Sequence, residues 1–248
     1  MSGISKLSDF WVEKYKKESK KSWDKFYKRN ETRFFKDRHW LDREFDCYFG
    51  LPDKLPLTIL EVGCGVGNLV YPLLEVQPNL KIYCCDFSPR AIDFVKKHSC
   101  YNENRVFPFV NDITEDSLLE VLGSACIDTL TAIFVLSAIP REKQLRSIKN
   151  LASVIKPGGH LVFRDYCDGD FAQEKFMTSG DPSMIDEQTF VRQDGTLSLF
   201  FREEDIAEWM KSAGFGLVTL DRVNRTVDNR KRNLNMKRTF LQGVWKKL

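Results

Sequence analysis

Ile59-Leu-Glu-Val-Gly-Cys-Gly-Val-Gly-Asn68 is the stretch that decides the fold. The apolar run from Leu57 to Val62 reads as a buried strand. It breaks at Gly63, Gly65 and Gly67, and a helical apolar pattern follows at Leu69, Val70, Leu73 and Leu74. Strand, glycine turn and helix together form the nucleotide-binding end of a doubly wound sheet. Glycine suits the turn because it tolerates positive φ and lets backbone approach a ligand closely. A dinucleotide fingerprint needs a third glycine at position 68, and Asn68 stands there. No lysine follows the glycines as in a phosphate-binding loop, which argues against a triphosphate.

A second apolar strand, Leu80 to Cys85, ends at Asp86. An acid about 20 residues beyond such a turn accepts hydrogen bonds from ribose hydroxyls. The spacing E-x-G-x-G-x-G resembles the first motif of S-adenosylmethionine (SAM) methyltransferases. SAM has no phosphate to cradle, and its sulfonium suits acidic surroundings.

The 248 residues, 42 % of them hydrophobic, make one large domain or one domain with appendages. No apolar run approaches 18 residues, so no membrane span is expected. The N-terminus lacks the apolar core of a signal peptide. Seven cysteines form no C-x-x-C pair and read as reduced thiols of an intracellular protein. Three histidines, none at ligand spacing, make a metal site improbable. Charge is uneven: residues 1–43 carry 13 Lys/Arg against 7 Asp/Glu, residues 220–248 carry 9 against 2, and residues 44–219 carry 16 against 26. Basic ends on an acidic middle suggest a polyanionic partner, with solvated surface lysines as the plainer reading.

Residues 8–29 place Trp11, Tyr15, Trp23, Phe26 and Tyr27 at helical spacing among many lysines. Asn30 to Trp40 mixes adjacent aromatics with Arg33, Lys36 and Arg38, a composition that suits single-stranded RNA loops. A short helix is expected over Leu41–Tyr48 and a linker over Gly50–Pro56. Strands are then expected at Val106–Val110, Ile127–Leu136 and His160–Asp165. Helices begin at Ser88-Pro89 and span Arg141–Ile155. This alternation predicts a doubly wound, mostly parallel seven-stranded α/β sheet. A hairpin is expected over Phe190–Phe201 around Asp194-Gly195 and a helix over Glu203–Ala213. Two last strands, Phe215–Val223 and Met236–Trp245, would flank a basic loop, Asn224–Asn235. Residues 1–50 thus read as a basic, aromatic helical extension and 51–248 as the catalytic domain.

Ligands in such sheets bind at the carboxyl ends of the strands. There the sequence sets Gly63, Gly65, Gly67, Asp86, Asp112, Ile113, Ile133 to Ser137, and Arg164 to Tyr166. Asp86 is expected to accept from ribose hydroxyls, Asp112 from the adenine amino group, and Ile113 to flank the ring. Glu61 is expected to hold the methionine ammonium. Asp112 and Glu61 also have purely structural readings, Asp112 as a turn residue.

Several stretches resemble the tRNA cytidine-N3 methyltransferases, which act on position 32 of the anticodon loop. They are Trp23-Asp-Lys-Phe-Tyr-Lys-Arg-Asn30, Phe34-Phe-Lys-Asp-Arg-His-Trp40, Glu61 to Asn68, Cys85-Asp-Phe-Ser-Pro-Arg-Ala91, Ile133-Phe-Val-Leu-Ser-Ala138, Phe163-Arg-Asp-Tyr166 and Val191-Arg-Gln-Asp-Gly-Thr196. The resemblance implies SAM binding by Trp23, Tyr27, Gly63, Asp86, Asp112, Ile113 and Ile133. The RNA substrate is expected at Arg33, Phe34, Phe35, Lys36, Arg38, His39 and Arg192. Asp165 is expected beside the target cytosine, with Arg164 and Tyr166 as its helpers. The resemblance further implies the anticodon stem-loop of tRNA as partner. Some family members also depend on an aminoacyl-tRNA synthetase, such as seryl-tRNA synthetase. A monomer in the cytoplasm, with the nucleus as a further location, completes the expectation. A methyltransferase for a protein or small molecule, and a non-catalytic RNA-binding subunit, stay open at this point.

Overall fold

The computed structural model describes residues 6–49, 57–77, 79–229 and 234–248. Helix α1 (Asp9–Asn30) is followed by two short helical turns, α2 (Leu41–Glu44) and α3 (Asp46–Phe49). The single helix expected over Leu41–Tyr48 is therefore broken. Phe45 leaves helical geometry at φ −135°, and its ring is buried in one core with Leu41 and Phe49. The expected linker Gly50–Pro56 lies outside the described residues.

The core alternates β1 (Thr58–Val62), α4 (Val70–Val76), β2 (Lys81–Asp86), α5 (Pro89–Lys96), β3 (Val106–Val110), α6 (Leu118–Leu122), β4 (Ile127–Ile133), α7 (Gln144–Val154) and β5 (Ile155–Tyr166). Then come α8 (Phe171–Thr178), β6 (Thr189–Val191), β7 (Leu197–Leu199), α9 (Glu203–Ser212), β8 (Phe215–Asn229) and β9 (Leu234–Lys247). Seven strands form one sheet in the order β3-β2-β1-β4-β5-β9-β8. The first five are parallel, while β9 runs antiparallel to both β5 and β8. Strand order reverses between β1 and β4, which is where such sheets open a ligand crevice. The hairpin β6–β7 forms its own two-stranded sheet.

Side chains alternate between the two faces, as strand geometry requires. Leu60, Val62, Leu130, Ala132, Leu161 and Phe163 pack with Leu118, Ile148, Leu151, Ile206 and Met210 of α6, α7 and α9. Ile59, Ile82, Cys84, Ile133 and Val162 pack on the other face with α4, α5 and the α2–α3 turns. Both faces are covered, so the central strands read as nearly continuous apolar runs.

Three boundaries differ from expectation, and each bears on the site. β4 stops at Ile133 because Phe134 turns the chain at φ +58°, and Leu136–Ala138 then forms a 3-10 turn. β5 begins at Ile155 and runs through the Pro157-Gly stretch, with a register irregularity against β4. Most of the expected loop Asn224–Asn235 is strand: β8 and β9 pair from Phe215↔Lys247 to Asn229↔Leu234. β5 ends at Tyr166 opposite Phe240, so the paired residues from Asn224 to Thr239 form an arm past the ligand edge of the sheet.

α1 crosses that edge. Lys20 forms an ion pair with Asp112, Lys16 with Glu142 at 2.8 Å, and Ser88 Oγ donates to Asp24 Oδ1 at 3.0 Å. Phe26 and Tyr27 are buried beneath it with Val66 and Ala91. Among the described residues no helix is long and apolar enough to cross a membrane.

Candidate active site

Two adjoining cavities of about 360 Å³ each open at the carboxyl ends of the strands. Trp23, Tyr27, Gly63 and Phe134 are walls of both. The first cavity carries Asp86, Asn111, Asp112 and Ile113. The second carries Gly65, Phe34, Phe35, Ser137, Tyr166, Arg192 and Asp194.

The glycine turn is shaped by its neighbours. Gly63 has φ +60°, and a Cβ there would lie 2.2 Å from Val135 Cγ2. A Cβ on Gly65 would meet the Tyr27 hydroxyl at 3.1 Å. Gly67 differs: it lines neither cavity, and a Cβ there would strike the Tyr71 ring at 2.6 Å. It serves the packing of the α4 turn and not the ligand wall.

Asp86 holds the turn and faces the first cavity. Its Oδ2 accepts from the Gly65 N–H at 3.1 Å and from the Tyr27 hydroxyl at 3.4 Å, and its Oδ1 accepts from the Ser88 N–H at 2.9 Å. Burial pushes its carboxyl up to about 6 against these donors. A carboxylate has lone pairs left for ribose hydroxyls. Asp112 accepts from the Thr114 N–H at 2.9 Å and pairs with Lys20. Burial works to raise its pKa, but Lys20 and Thr114 together hold it below the usual range.

Glu61 lies 1 % exposed at the end of β1, and burial pushes its carboxyl up to about 8. Its nearest cation is Arg38, with Nη1 3.9 Å from Oε1. The same Nη1 donates to the Ile133 carbonyl at 3.1 Å. Arg38 is thus largely buried, and it also lines the second cavity, between the Glu61 carboxyl and the expected RNA side. Together Glu61 and Arg38 complement the ammonium and carboxylate of an amino-acid group. Ile133 contributes a carbonyl to this arrangement, while its side chain is in the core.

Three buried polar atoms near the glycine turn have no protein partner among the described residues: Trp23 Nε1 and Asn111 Oδ1, on walls of the first cavity, and Glu61 Oε2, which lines neither cavity. Buried polar atoms are normally paired, so such a cluster marks where a ligand supplies the partners. One donor and two acceptors, beside Asp86 and Asp112, fit the donor and acceptor pattern of SAM.

Tyr166 is the hub of the second cavity. Arg192 and Arg238 lie 5.3 and 5.4 Å from its ring, and Phe134 and Phe200 at 5.4 and 5.8 Å. Aromatic faces with guanidinium groups suit an unstacked base and its phosphate. Phe34 and Phe35 extend this wall by packing on Phe26 at 4.8 and 5.7 Å. Arg33, Lys36 and His39 are exposed outside the cavity, and Arg33 pairs with Glu31 at 2.7 Å.

Within the expected trio at the end of β5, strand alternation sets Asp165 on one face and Arg164 with Tyr166 on the other, and both of the latter lie against the Phe240 ring, at 5.3 and 6.2 Å. Arg164 projects away from the cavity onto the Trp40 ring at 4.1 Å and pairs with Glu44 at 3.0 Å. Asp165 is fully buried and lines neither cavity. Its Oδ2 accepts from the Ser137 N–H and its Oδ1 from the Tyr166 N–H, both at 2.9 Å. It positions two wall residues and does not reach the space they enclose. Only Tyr166 lines the cavity.

The carboxylate that does line it is Asp194. Its Oδ1 accepts from the Thr196 N–H at 3.0 Å and the Thr196 hydroxyl at 2.7 Å. The sequence reads it as half of an Asp-Gly turn, within a stretch that resembles the family but without a role of its own. Arg238, whose Nε donates to both Asp170 oxygens at 3.0 Å, gave no sequence signal at all.

Fold and site define the class, a methyltransferase of the doubly wound type. A family model described as a methyltransferase domain matches residues 60–161. A SAM-dependent methyltransferase from Anabaena variabilis has the same fold, with a TM-score of 0.66 at 16 % identity over 100 % of this chain and 99 % of that one. Among curated proteins, the mouse tRNA N(3)-cytidine methyltransferase METTL6 is 45 % identical over 97 % of this chain and 85 % of its own length. The tRNA(Thr) (cytosine(32)-N(3))-methyltransferase of Saccharomyces cerevisiae is 35 % identical over 96 % of this chain and 38 % of its own length. The chain belongs to the tRNA N(3)-cytidine methyltransferase family.

Proposed function

We propose that this chain transfers a methyl group from SAM to N3 of a cytidine in tRNA, at position 32 of the anticodon loop. The observation that carries the reading is the join between the two cavities. An acidic cofactor end with three unpaired polar atoms meets, across Trp23, Tyr27, Gly63 and Phe134, an aromatic chamber edged by arginines. When bound, SAM supplies a sulfonium methyl group, which the in-plane lone pair of cytosine N3 accepts to leave a cationic ring. Asp86 and Asp112 hold the nucleoside end, and Glu61 with Arg38 holds the amino-acid end. Tyr166 and Phe134 offer faces for an unstacked base. Asp194 offers a carboxylate toward N4–H, where its attraction grows as the ring becomes cationic. Arg192 and Arg238 hold the attached phosphates. N3 is buried in a base pair, so the target is an unpaired or flipped nucleotide.

The experiment that tests this is nucleoside mass spectrometry of tRNA from cells lacking the protein, with methylation of the same tRNA by the purified chain. Loss of 3-methylcytidine and its restoration are expected; unchanged 3-methylcytidine would overturn the reading. In the same reading the enzyme is a cytoplasmic or nuclear monomer, and a synthetase such as seryl-tRNA synthetase presents the tRNA. Size measurement of the mixture with and without that synthetase tests this part separately.

A further inference from the structure

A third cavity, of about 700 Å³, lies across Phe134 from the base chamber. Its walls are Trp40, Arg43, Glu44, Arg164, Phe240 and the arm residues Arg225 to Val227. Arg164 is 3 % exposed, and its guanidinium sits between the rings of Trp40 and Phe240, at 4.1 and 5.3 Å. Burying an arginine on a strand costs free energy unless its charge and donors are met. Here they are met in part. Nη1 donates to Glu44 Oε2 at 3.0 Å, but Nε is buried with no partner among the described residues. Glu44 is shared, because its Oε1 accepts from Arg225 Nη2 at 2.6 Å. Arg43 adds an exposed guanidinium. One carboxylate, paired with two arginines, thus shares an aromatic-walled recess with a third.

A recess that only anchored Trp40 would need neither the excess charge nor the open donor. We propose that it binds a backbone phosphate of the substrate tRNA, next to the nucleotide that enters the base chamber. The proposal rests on the RNA substrate argued above. Phe134 lines the base chamber and this recess, and its ring is 5.4 Å from Tyr166 and 5.2 Å from Phe240. It stands as a divider that an RNA strand straddles, with the base on one side and the adjacent phosphate on the other. Arg164 gives a fixed, buried donor and Arg225 a second one from the arm. The aromatic walls exclude water and strengthen the charge-assisted bonds.

The test uses the full chain and a tRNA transcript carrying the target cytidine. Binding is read by fluorescence anisotropy over a series of KCl concentrations, SAM binding by calorimetry. Arg225→Gln, at an exposed position, is expected to weaken tRNA binding about threefold to tenfold and to lower the salt slope by about 1. SAM affinity should not change. Arg164→Met is expected to weaken tRNA binding about tenfold or more, because a charge-assisted contact is lost from a dry site. If Arg225→Gln keeps both the affinity and the salt slope of the wild type, the inference is overturned. Equal losses for tRNA and SAM in both variants would also overturn it, as damage to the fold. A wild-type chain that binds tRNA through this recess but methylates no cytidine would overturn the proposed reaction and leave the phosphate site standing.

Discussion

The N–H of Ser137, on the turn after β4, donates to the buried carboxylate of Asp165 on β5 at 2.9 Å. This bond and the Tyr166 N–H on the other oxygen hold two residues that line the base chamber. An amide in place of the carboxylate would point its NH₂ at one of these N–H donors. Asp165→Asn should therefore cost about 1–3 kcal/mol of stability through a buried unmet donor. Asp194→Asn should leave the melting temperature near wild type and slow single-turnover methylation by about 10²–10³. Thermal unfolding and single-turnover kinetics of both variants check this. Asp165→Asn at full stability with the larger rate loss would reverse the two roles.

Glu61 makes SAM binding pH-dependent. Burial raises its carboxyl to about 8, so the ligand-free protein holds this proton at neutral pH. A bound ammonium needs the carboxylate, so binding releases a proton, and affinity falls as pH drops below about 8. Calorimetry at pH 7 in buffers of different ionisation enthalpy should detect the release. Glu61→Gln should abolish the release and weaken binding. No proton release in the wild type would mean that Glu61 does not hold the ligand's cationic group.

Asp86 and Asp165 add a stability term of a definite sign. Both carboxyls are pushed up to about 6, chiefly by burial. A carboxyl raised on folding favours the folded state most when protonated, and this contribution is lost as pH rises through about 6. Glu61, raised to about 8, adds a term of the same sign at the upper end of the range. The melting temperature of the ligand-free chain should rise as pH falls from 8 toward 5.5, and less so in Asp165→Asn, the difference growing below pH 7. A melting temperature independent of pH over this range would show that the buried carboxyls are not raised.

Gly63→Ala would force a side chain into positive φ and against Val135, and should destabilise the chain by about 1–3 kcal/mol. Gly67→Ala, at φ +93° against the Tyr71 ring, should cost a similar amount of stability. The two differ in their neighbours: Gly63 lines both cavities and Gly67 neither, so only Gly63→Ala should lose SAM affinity beyond its loss of stability. Equal SAM affinity in the two variants, measured where both are folded, would contradict the assignment.

Deleting residues 1–40 should weaken SAM as well as abolish tRNA methylation. Lys20, Trp23, Tyr27 and Arg38 all come from this segment and touch the cofactor end. SAM affinity at the full-length value in the truncated chain would mean that α1 is an RNA element only.

The sequence by itself determined the sheet, the glycine turn and its acid. These are local: an apolar run, three glycines and Asp86 fall within one strand–helix–strand unit, and periodicity reports them directly. Phe34 and Phe35 are also legible, as aromatics among cations, and Tyr166 from its place at the carboxyl end of β5. What the tertiary structure decided is which side of a wall each charge occupies. Arg164, Asp165 and Tyr166 are consecutive, yet they serve a phosphate recess, a buried hydrogen-bond network and the base chamber. Strand alternation separates Asp165 from the other two, the Ser137 N–H of the 3-10 turn binds it, and Trp40 draws Arg164 away from Tyr166. Arg38 reads as one more cation in a basic stretch until the path after α1 carries it to Glu61, 23 residues on. Asp194 reads as a turn residue until the hairpin folds over the sheet edge. Contacts between distant segments have no spacing rule, because the chain between them is free to take any path that buries its apolar side chains.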